Sequence, residues 1–189
     1  MRKLIMWNVI TLDGYFEGEK PWDLSFHELV WGKELQDFSN EQLASAEMLV
    51  FGENTYKGMA DYWSKAQPET GEDAYTIEKM NSLPKIVCSP TLKAAEWNNT
   101  TIVSDAITEI PKLKQEGDGI MYVFGSGTLS ESLINADLFD EYRLVIAPVL
   151  LGKGKRLFTE KVLYQQLKLL EARALPNGGV IVRYAPAAK

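Results

Sequence analysis

The chain has 189 residues, 46% hydrophobic and 11% aromatic, with 20 basic against 26 acidic residues and a net charge of −6. That length and apolar content suit one compact domain, residues 1–189, with a sizeable core. Scattered basic residues exclude a nucleic-acid groove, no apolar run nears the roughly 20 residues of a membrane span, and the N-terminus turns polar too soon for a signal peptide, so a cytoplasmic protein is expected.

In chain order, Leu4 to Ile10 predicts a strand ended by Asp13-Gly14, and Lys20 to Phe38 predicts a helix. Met48 to Phe51 predicts a second strand, closed by Gly52 and followed by a helix from Asn54 through Tyr62; the polar stretch Lys65 to Asp73 reads as a surface loop. A helical segment Tyr75 to Ser82 leads into the strands Lys85 to Cys88 and Thr101 to Val103, then a helix over Ile107 to Gln115 and a strand over Ile120 to Phe124. Tyr142 to Val149, Leu167 to Leu175 and Val180 to Tyr184 follow with no long helix between them, and Pro176-Asn-Gly-Gly179 is a turn signal. The pattern is α/β: a mixed, mostly parallel sheet flanked by helices, ending in an antiparallel hairpin. Cys88 is the only cysteine and His27 the only histidine, which excludes intrachain disulfides, a CxxC pair and a His/Cys zinc site, and no metal is expected. Cys88 reads as a buried small hydrophobe.

Two segments carry chemistry. In Met121 to Glu131 an apolar strand runs into Gly125-Ser-Gly127 and then a helix start. Thr128 and Glu131 have capping-box spacing, which puts the helix start at Thr128 with the N–H groups of Leu129 and Ser130 facing the loop. Gly125 and Gly127 would let an anion approach the backbone, at the positive end of the helix dipole; small residues at such a junction also serve packing. In the second segment, at 100° per residue Leu24, Glu28, Trp31, Leu35 and Phe38 fall within about 80° of one another, with His27 at the edge of the stripe. A carboxylate on a core-facing stripe has its pKa raised toward values useful for proton donation, unless it bends to solvent or caps the first turn.

The ordered set Thr11-Leu-Asp-Gly-Tyr-Phe, Pro21-Trp-x-Leu, Gly52-x-x-Thr-Tyr, Pro84-Lys-Ile-Val-Cys-Ser, Val123-Phe-Gly-Ser-Gly and Asp140 to Phe158 resembles the dihydrofolate reductase-like superfamily. Among its branches the chain looks most like relatives of the reductase domain of the bifunctional riboflavin-biosynthesis deaminase-reductase. The resemblance implies a three-layer fold and a homodimeric, nicotinamide-dependent oxidoreductase, with NADPH as cofactor. The substrate would be a small pterin-like or aminopyrimidine-like heterocycle, as for a 5-amino-6-(5-phosphoribosylamino)uracil reductase. By motif, Gly52, Glu53, Asn54 and Thr55 would hold phosphates with Gly125, Ser126, Gly127, Thr128 and Leu129, and Ser89 would lie near the adenosine. Asp13, with Gly14 and Tyr15, would belong to the loop over nicotinamide and substrate, and Trp22 and Trp31 are pocket walls or core tryptophans. Counting from Pro21 puts His27 at the position of the acid that grips a pterin and Glu28 one residue beyond, so either is the candidate catalytic acid.

Further departures bear on cofactor and substrate. Many relatives carry arginine after the glycine of Gly-x-x-Thr, where a cation meets the 2′-phosphate of NADPH. This chain has Glu53, which would repel that phosphate and accept a hydrogen bond from a free ribose hydroxyl, so NADH is admitted. Lys57, one turn on, is either the replacement cation or a solvated lysine. Lys153-Gly-Lys-Arg156 is either a receptor for a phosphorylated substrate or a structural turn. Ser130 stands where the third glycine of G-x-G-x-x-G would be, so the loop is half of a reductase-type cradle rather than a Rossmann turn. A dinucleotide-binding protein without turnover is the alternative function, and a flavin-using or structural dimer in which the pocket is vestigial is a third.

Overall fold

The structure is a computed structural model that describes residues 1–187, apart from the side chain of Thr70. β1 (Lys3–Thr11) has eight of its nine residues buried, the continuous burial of a strand covered on both faces. A short strand β2 (Tyr15–Glu17), a 3₁₀ helix (Ser25–Leu29) and α1 (Lys33–Ser45) follow. β3 (Ala46–Gly52) then runs directly into α2 (Glu53–Trp63). α3 (Ala74–Ser82), β4 (Lys85–Cys88), β5 (Thr100–Val103), α4 (Ala106–Gln115), β6 (Ile120–Phe124) and α5 (Gly127–Asn135) continue the alternation. β7 (Glu141–Ala147), the two-residue β8 (Lys155–Arg156), β9 (Leu167–Ala174) and β10 (Val180–Pro186) complete it.

The sheet order is β5-β4-β3-β6-β1-β7-β10-β9, while β2 and β8 pair separately. β1 pairs in parallel with β6 and β7, β3 with β6 and β4, and β4 with β5, whereas β10 is antiparallel to both β7 and β9. This is the expected mostly parallel sheet with an antiparallel hairpin at its end. Alternate side chains of the strands build two cores, one from Trp7, Phe38, Phe51, Tyr56 and Tyr122 and one from Met6, Ile110, Met121, Leu133 and Tyr142. The result is three layers.

Two local expectations are overturned. Residues 24–38 do not form one helix: the 3₁₀ turn stops at Val30, and Gly32 is fully extended (φ 174°, ψ −178°) before α1 begins. Side chains therefore do not follow a 100° spiral through this segment, and Glu28 is exposed rather than set in an apolar stripe. The Thr128/Glu131 capping box does not form either. α5 starts at Gly127 behind Ser126, which is left-handed (φ 59°) and makes no side-chain cap, while the Glu131 carboxylate accepts from Thr159 Oγ1 at 2.5 Å.

Two features of the periphery matter below. Lys85, at the start of β4, is fully buried, with no carboxylate partner among the described residues. Its Nζ donates to the carbonyls of Asn81, Leu83 and Asn98 at 2.8–3.1 Å and lies 4.4 Å from the Trp97 ring centroid, and burial lowers its pKa to about 8. At the sheet's free edge, every residue of β9 except Glu171 is exposed, including Leu167, Leu169 and Leu170.

Candidate active site

The carboxyl ends of β3 and β6 bring two helix N-termini together. Gly52 N–H donates to Ser126 Oγ at 2.8 Å, and Ser126 N–H donates to Thr55 Oγ1 at 3.1 Å, so the loop before α2 is stitched to the loop before α5. Those two bonds hold Ser126 in a left-handed conformation that costs a non-glycine residue about 1–2 kcal/mol. Gly125, at φ +55°, passes close to Thr55, whose Cγ2 would be 3.2 Å from an added Cβ, and Gly127 lies under the Phe16 ring, 3.0 Å from an added Cβ. Ser130 N–H is spent on Ser126 O, so the orphan donors at this helix end are those of Gly127, Thr128 and Leu129 rather than of Leu129 and Ser130. Two positive helix ends brought side by side in this way suit a diphosphate.

Sequence reasoning missed Asn8, whose Oδ1 accepts from Gly125 N–H at 3.0 Å and whose Nδ2 is buried without a partner beside the loop. The signal was available: it is the one amide in the otherwise apolar run Leu4 to Ile10.

At the outer end of the cradle Glu53 organises a small network. Its carboxylate accepts from Lys57 Nζ and Thr91 Oγ1, both at 2.6 Å, and from Ser89 Oγ. Hydrogen bonds from Lys57, Ser89 and Thr91 hold its pKa down at about 2. Lys57 is thus committed to Glu53 and is not a free replacement cation. Ser89 is buried, and its oxygen also accepts from the N–H groups of Thr91 and Leu92, so its hydroxyl serves the loop rather than standing open to an adenosine. Thr91 was not anticipated.

On the other side of β1 the loop Thr11 to Tyr15 is braced. Asp13 accepts from Thr11 Oγ1 at 2.6 Å and from the N–H groups of Leu151 and Gly152 at 3.1 and 2.8 Å, and these bonds, Thr11's first, lower its pKa to about 2. Its carboxylate ties two loops together, so its oxygens are taken up by the protein's own donors. The basic turn resolves the same way, as structure. Lys155 pairs with Glu17 at 2.8 Å, Lys153 with Glu19 at 3.5 Å, and Arg156 donates to Asp13 O while its guanidinium lies over the Tyr15 ring. Trp22 and Trp31 are both exposed, so neither is a core residue. The Trp22 ring lies against Gly58 of α2, where a Cβ would stand 1.8 Å from it, and the backbone N–H of Trp22 donates to Glu17. The loop thereby reaches across to the helix that opens the cradle.

His27 and Glu28 part company on the 3₁₀ turn. Glu28 faces solvent. The His27 imidazole packs edge-on to Phe26 with its Nε2 buried and unpartnered, and burial lowers its pKa to about 4. Near neutral pH it is an uncharged imidazole with one unused hydrogen-bonding atom. Burial likewise pushes the Cys88 thiol up to about 12, which removes it as a nucleophile. Among the described residues no cluster of three His, Cys, Asp or Glu side chains is placed to hold a metal, and no helix is long and apolar enough to cross a membrane.

The strand order, the antiparallel end and the paired helix N-termini at the carboxyl edge define an α/β domain of the dihydrofolate reductase-like fold. The chain belongs to the RibD C-terminal domain family, which it matches over residues 2–181. It is 28% identical over 187 residues to the uncharacterized protein YyaP of Bacillus subtilis (strain 168), covering 97% of this chain and 94% of that one. Its fold superposes on RibD of Acinetobacter baumannii with a TM-score of 0.68 at 16% identity, covering all of this chain and 59% of the longer protein. The Enterococcus faecalis dihydrofolate reductase complexed with NADP(H) gives a TM-score of 0.62 at 14% identity, over 98% of this chain and 97% of that one. A pyrimidine reductase-like protein of Corynebacterium diphtheriae gives 0.68 at 12% identity, over 100% of this chain and 93% of that one.

Proposed function

We propose that the protein is an NAD(P)H-dependent oxidoreductase that reduces a flat, pterin-like or aminopyrimidine-like heterocycle. The observation that carries this reading is the pair of N-termini of α2 and α5, cross-tied through Gly52, Thr55 and Ser126 at the carboxyl edge of the sheet. Main-chain donors of Gly127, Thr128 and Leu129, with those opening α2 at Glu53 to Thr55, would hold the pyrophosphate, and the missing Cβ of Gly125 and Gly127 keeps the loop low. When bound, a reduced nicotinamide supplies a hydride to the carbon of a C=N or C=O bond and is oxidised, while the neighbouring heteroatom takes a proton.

Of the two candidate acids, His27 is the one aimed inward. Its neutral imidazole would fix the heterocycle through Nε2, and the proton would come from water. Exposed Glu28 keeps only a peripheral role. In a dinucleotide-oxidation assay over a panel of heterocycles, His27→Ala is expected to lower kcat/KM by about a hundredfold, of the order assigned to a positioned acid–base group, and Glu28→Gln by less than about twofold. The wild-type profile should fall only as pH drops toward about 4, where His27 takes up its proton. Equal losses in both variants would return the role to Glu28.

A second reading, binding of the dinucleotide without turnover, draws on the exposure of Glu28 and the burial of His27, which leave neither candidate acid open in a cleft. It predicts dinucleotide-dependent thermal stabilisation with no oxidation by any heterocycle. The 5-phosphoribosylamino-uracil substrate is the narrower form of the first reading.

The chain is also proposed to act as a cytoplasmic homodimer. A free edge strand exposing Leu167, Leu169 and Leu170 is one that soluble proteins cover. Sedimentation should show a dimer that Leu169→Glu converts to monomer; a monomeric wild type would end this proposal.

A further inference from the structure

Asn8 interrupts an apolar strand beside the loop that opens α5. It stands between Met6 and Ile10, whose side chains enter the core on the α4 and α5 side of the sheet, so by alternation its amide points to that side as well. The parallel ladder between β1 and β6 ends at Trp7 and Phe124, and Gly125, the next residue, turns to φ +55°. Its N–H has left the ladder, and the acceptor it finds is Asn8 Oδ1 at 3.0 Å. A backbone N–H can only donate, so that bond also fixes which end of the amide meets the loop: the oxygen faces it, and Nδ2 is the atom left without a partner.

The other main-chain groups of the two loop residues are taken as well. Gly125 C=O accepts from Ser130 Oγ at 3.3 Å, Ser126 N–H donates to Thr55 Oγ1 at 3.1 Å, and Ser126 C=O accepts from Ser130 N–H at 2.8 Å. Three of these four ties come from helices, and the one from Asn8 comes from the sheet. Ser126 and Ser130 are buried, whereas Gly127, Thr128 and Leu129 are not. A loop whose own groups are all engaged leaves the next three N–H groups as its donors, and donors ordered before a ligand arrives bind it more tightly for the same contacts.

Packing alone does not call for this amide. Asn8 is 7% exposed, and a buried donor without a partner counts against the folded state, a penalty that an apolar side chain at the same place would not carry. What position 8 gains from asparagine is the acceptor. With Nδ2 buried, the side chain acts through the loop and not by touching a ligand.

We infer that Asn8 is the positioning residue of the cradle: its Oδ1 takes the Gly125 N–H in place of a strand partner and so holds the Gly127, Thr128 and Leu129 N–H groups where a pyrophosphate meets them. This rests on the dinucleotide reading above and adds to it the residue that sets the donors.

Amide exchange and resonance shifts on the full chain test it, with NADH and inorganic pyrophosphate as probes. In wild type the Gly125 N–H should exchange at least about a hundredfold more slowly than an open amide. Either probe should shift the amide resonances of Gly127, Thr128 and Leu129 well beyond that of Gly125. Asn8→Leu keeps the branching and loses the acceptor together with the orphan donor. It should speed Gly125 exchange at least about tenfold and weaken both probes about tenfold, with a melting temperature within about 2 °C of wild type. Asn8→Asp keeps an acceptor and should keep the slow exchange; if the leucine variant does not fold, this variant and the wild-type exchange decide. Fast Gly125 exchange in wild type, or a leucine variant that melts lower yet binds both probes as wild type does, overturns the inference and leaves the dinucleotide reading intact. Pyrophosphate binding without NADH binding would overturn the dinucleotide reading and leave a phosphate cradle set by Asn8. Binding of neither probe by wild type overturns both.

Discussion

Glu53→Arg is expected to move the cofactor preference toward NADPH by about tenfold or more, from a wild type that binds NADH at least as tightly as NADPH. The carboxylate occupies the first position of α2, anchored by Lys57, Ser89 and Thr91, so it cannot swing away from an approaching 2′-phosphate. Like charges brought close repel, and at this exposed site solvent and salt screen the repulsion only in part. A change of about 1.4 kcal/mol is a factor of ten in affinity. Between pH 5 and 9 the carboxylate stays ionised, because its pKa is held down at about 2, so any drift of the preference toward NADPH at the acid end follows protonation of the 2′-phosphate, whose second pKa is about 6. Glu53→Gln separates charge from shape: it keeps an acceptor for a ribose hydroxyl, loses the repulsion, and should fall between wild type and arginine. Dissociation constants for both dinucleotides, by fluorescence titration, decide it. Tighter wild-type binding of NADPH would show that the network around Glu53 lies off the ribose.

Lys85→Met is expected to lower the unfolding free energy by about 2–4 kcal/mol in urea at pH 7, since each buried acceptor left unpaired costs about 1–3 kcal/mol and the desolvation of the ammonium is recovered in part. The lysine is the shared donor for the end of α3 and the loop that precedes β5, through Asn81, Leu83 and Asn98. A pH signature accompanies it. The unfolded chain keeps the proton up to the ordinary value of 10.5, while the folded chain releases it near 8. Between those values the unfolded state holds more protons, so this group makes stability rise with pH, and it penalises the fold below about 8. The methionine variant should lack that rise. A loss under about 0.5 kcal/mol would mean the three carbonyls find other donors when the ammonium is gone.

The sheet was readable because its strands are buried on both faces. Runs such as Leu4 to Ile10 and Met121 to Phe124 can be nothing but interior, and the Pro176 to Gly179 turn announced the hairpin. Gly-Ser-Gly at 125–127 was readable for a related reason, since small residues between a strand and a helix mark a close approach of backbone. What failed was local chemistry decided by distant partners. Thr128 and Glu131 have the spacing of a cap, yet Thr159 claims the glutamate and the stitch to Thr55 fixes Ser126 instead. Gly32 after Trp31 was a visible breaker, and averaging the period through it placed Glu28 on a face that does not exist. Asp13 was expected in a loop, and it lies in one, but its three donors, two of them from Leu151 and Gly152 far along the chain, cannot be read from neighbours in sequence. β2 and β8, with three and two residues, are too short to leave a period.

Trp22 sits at φ 63°, a left-handed conformation that costs a bulky residue about 1–2 kcal/mol, and its ring takes the space that a Cβ at Gly58 would fill. Glycine at position 58 therefore belongs to that loop as much as Trp22 does: any larger residue there would push the indole off α2.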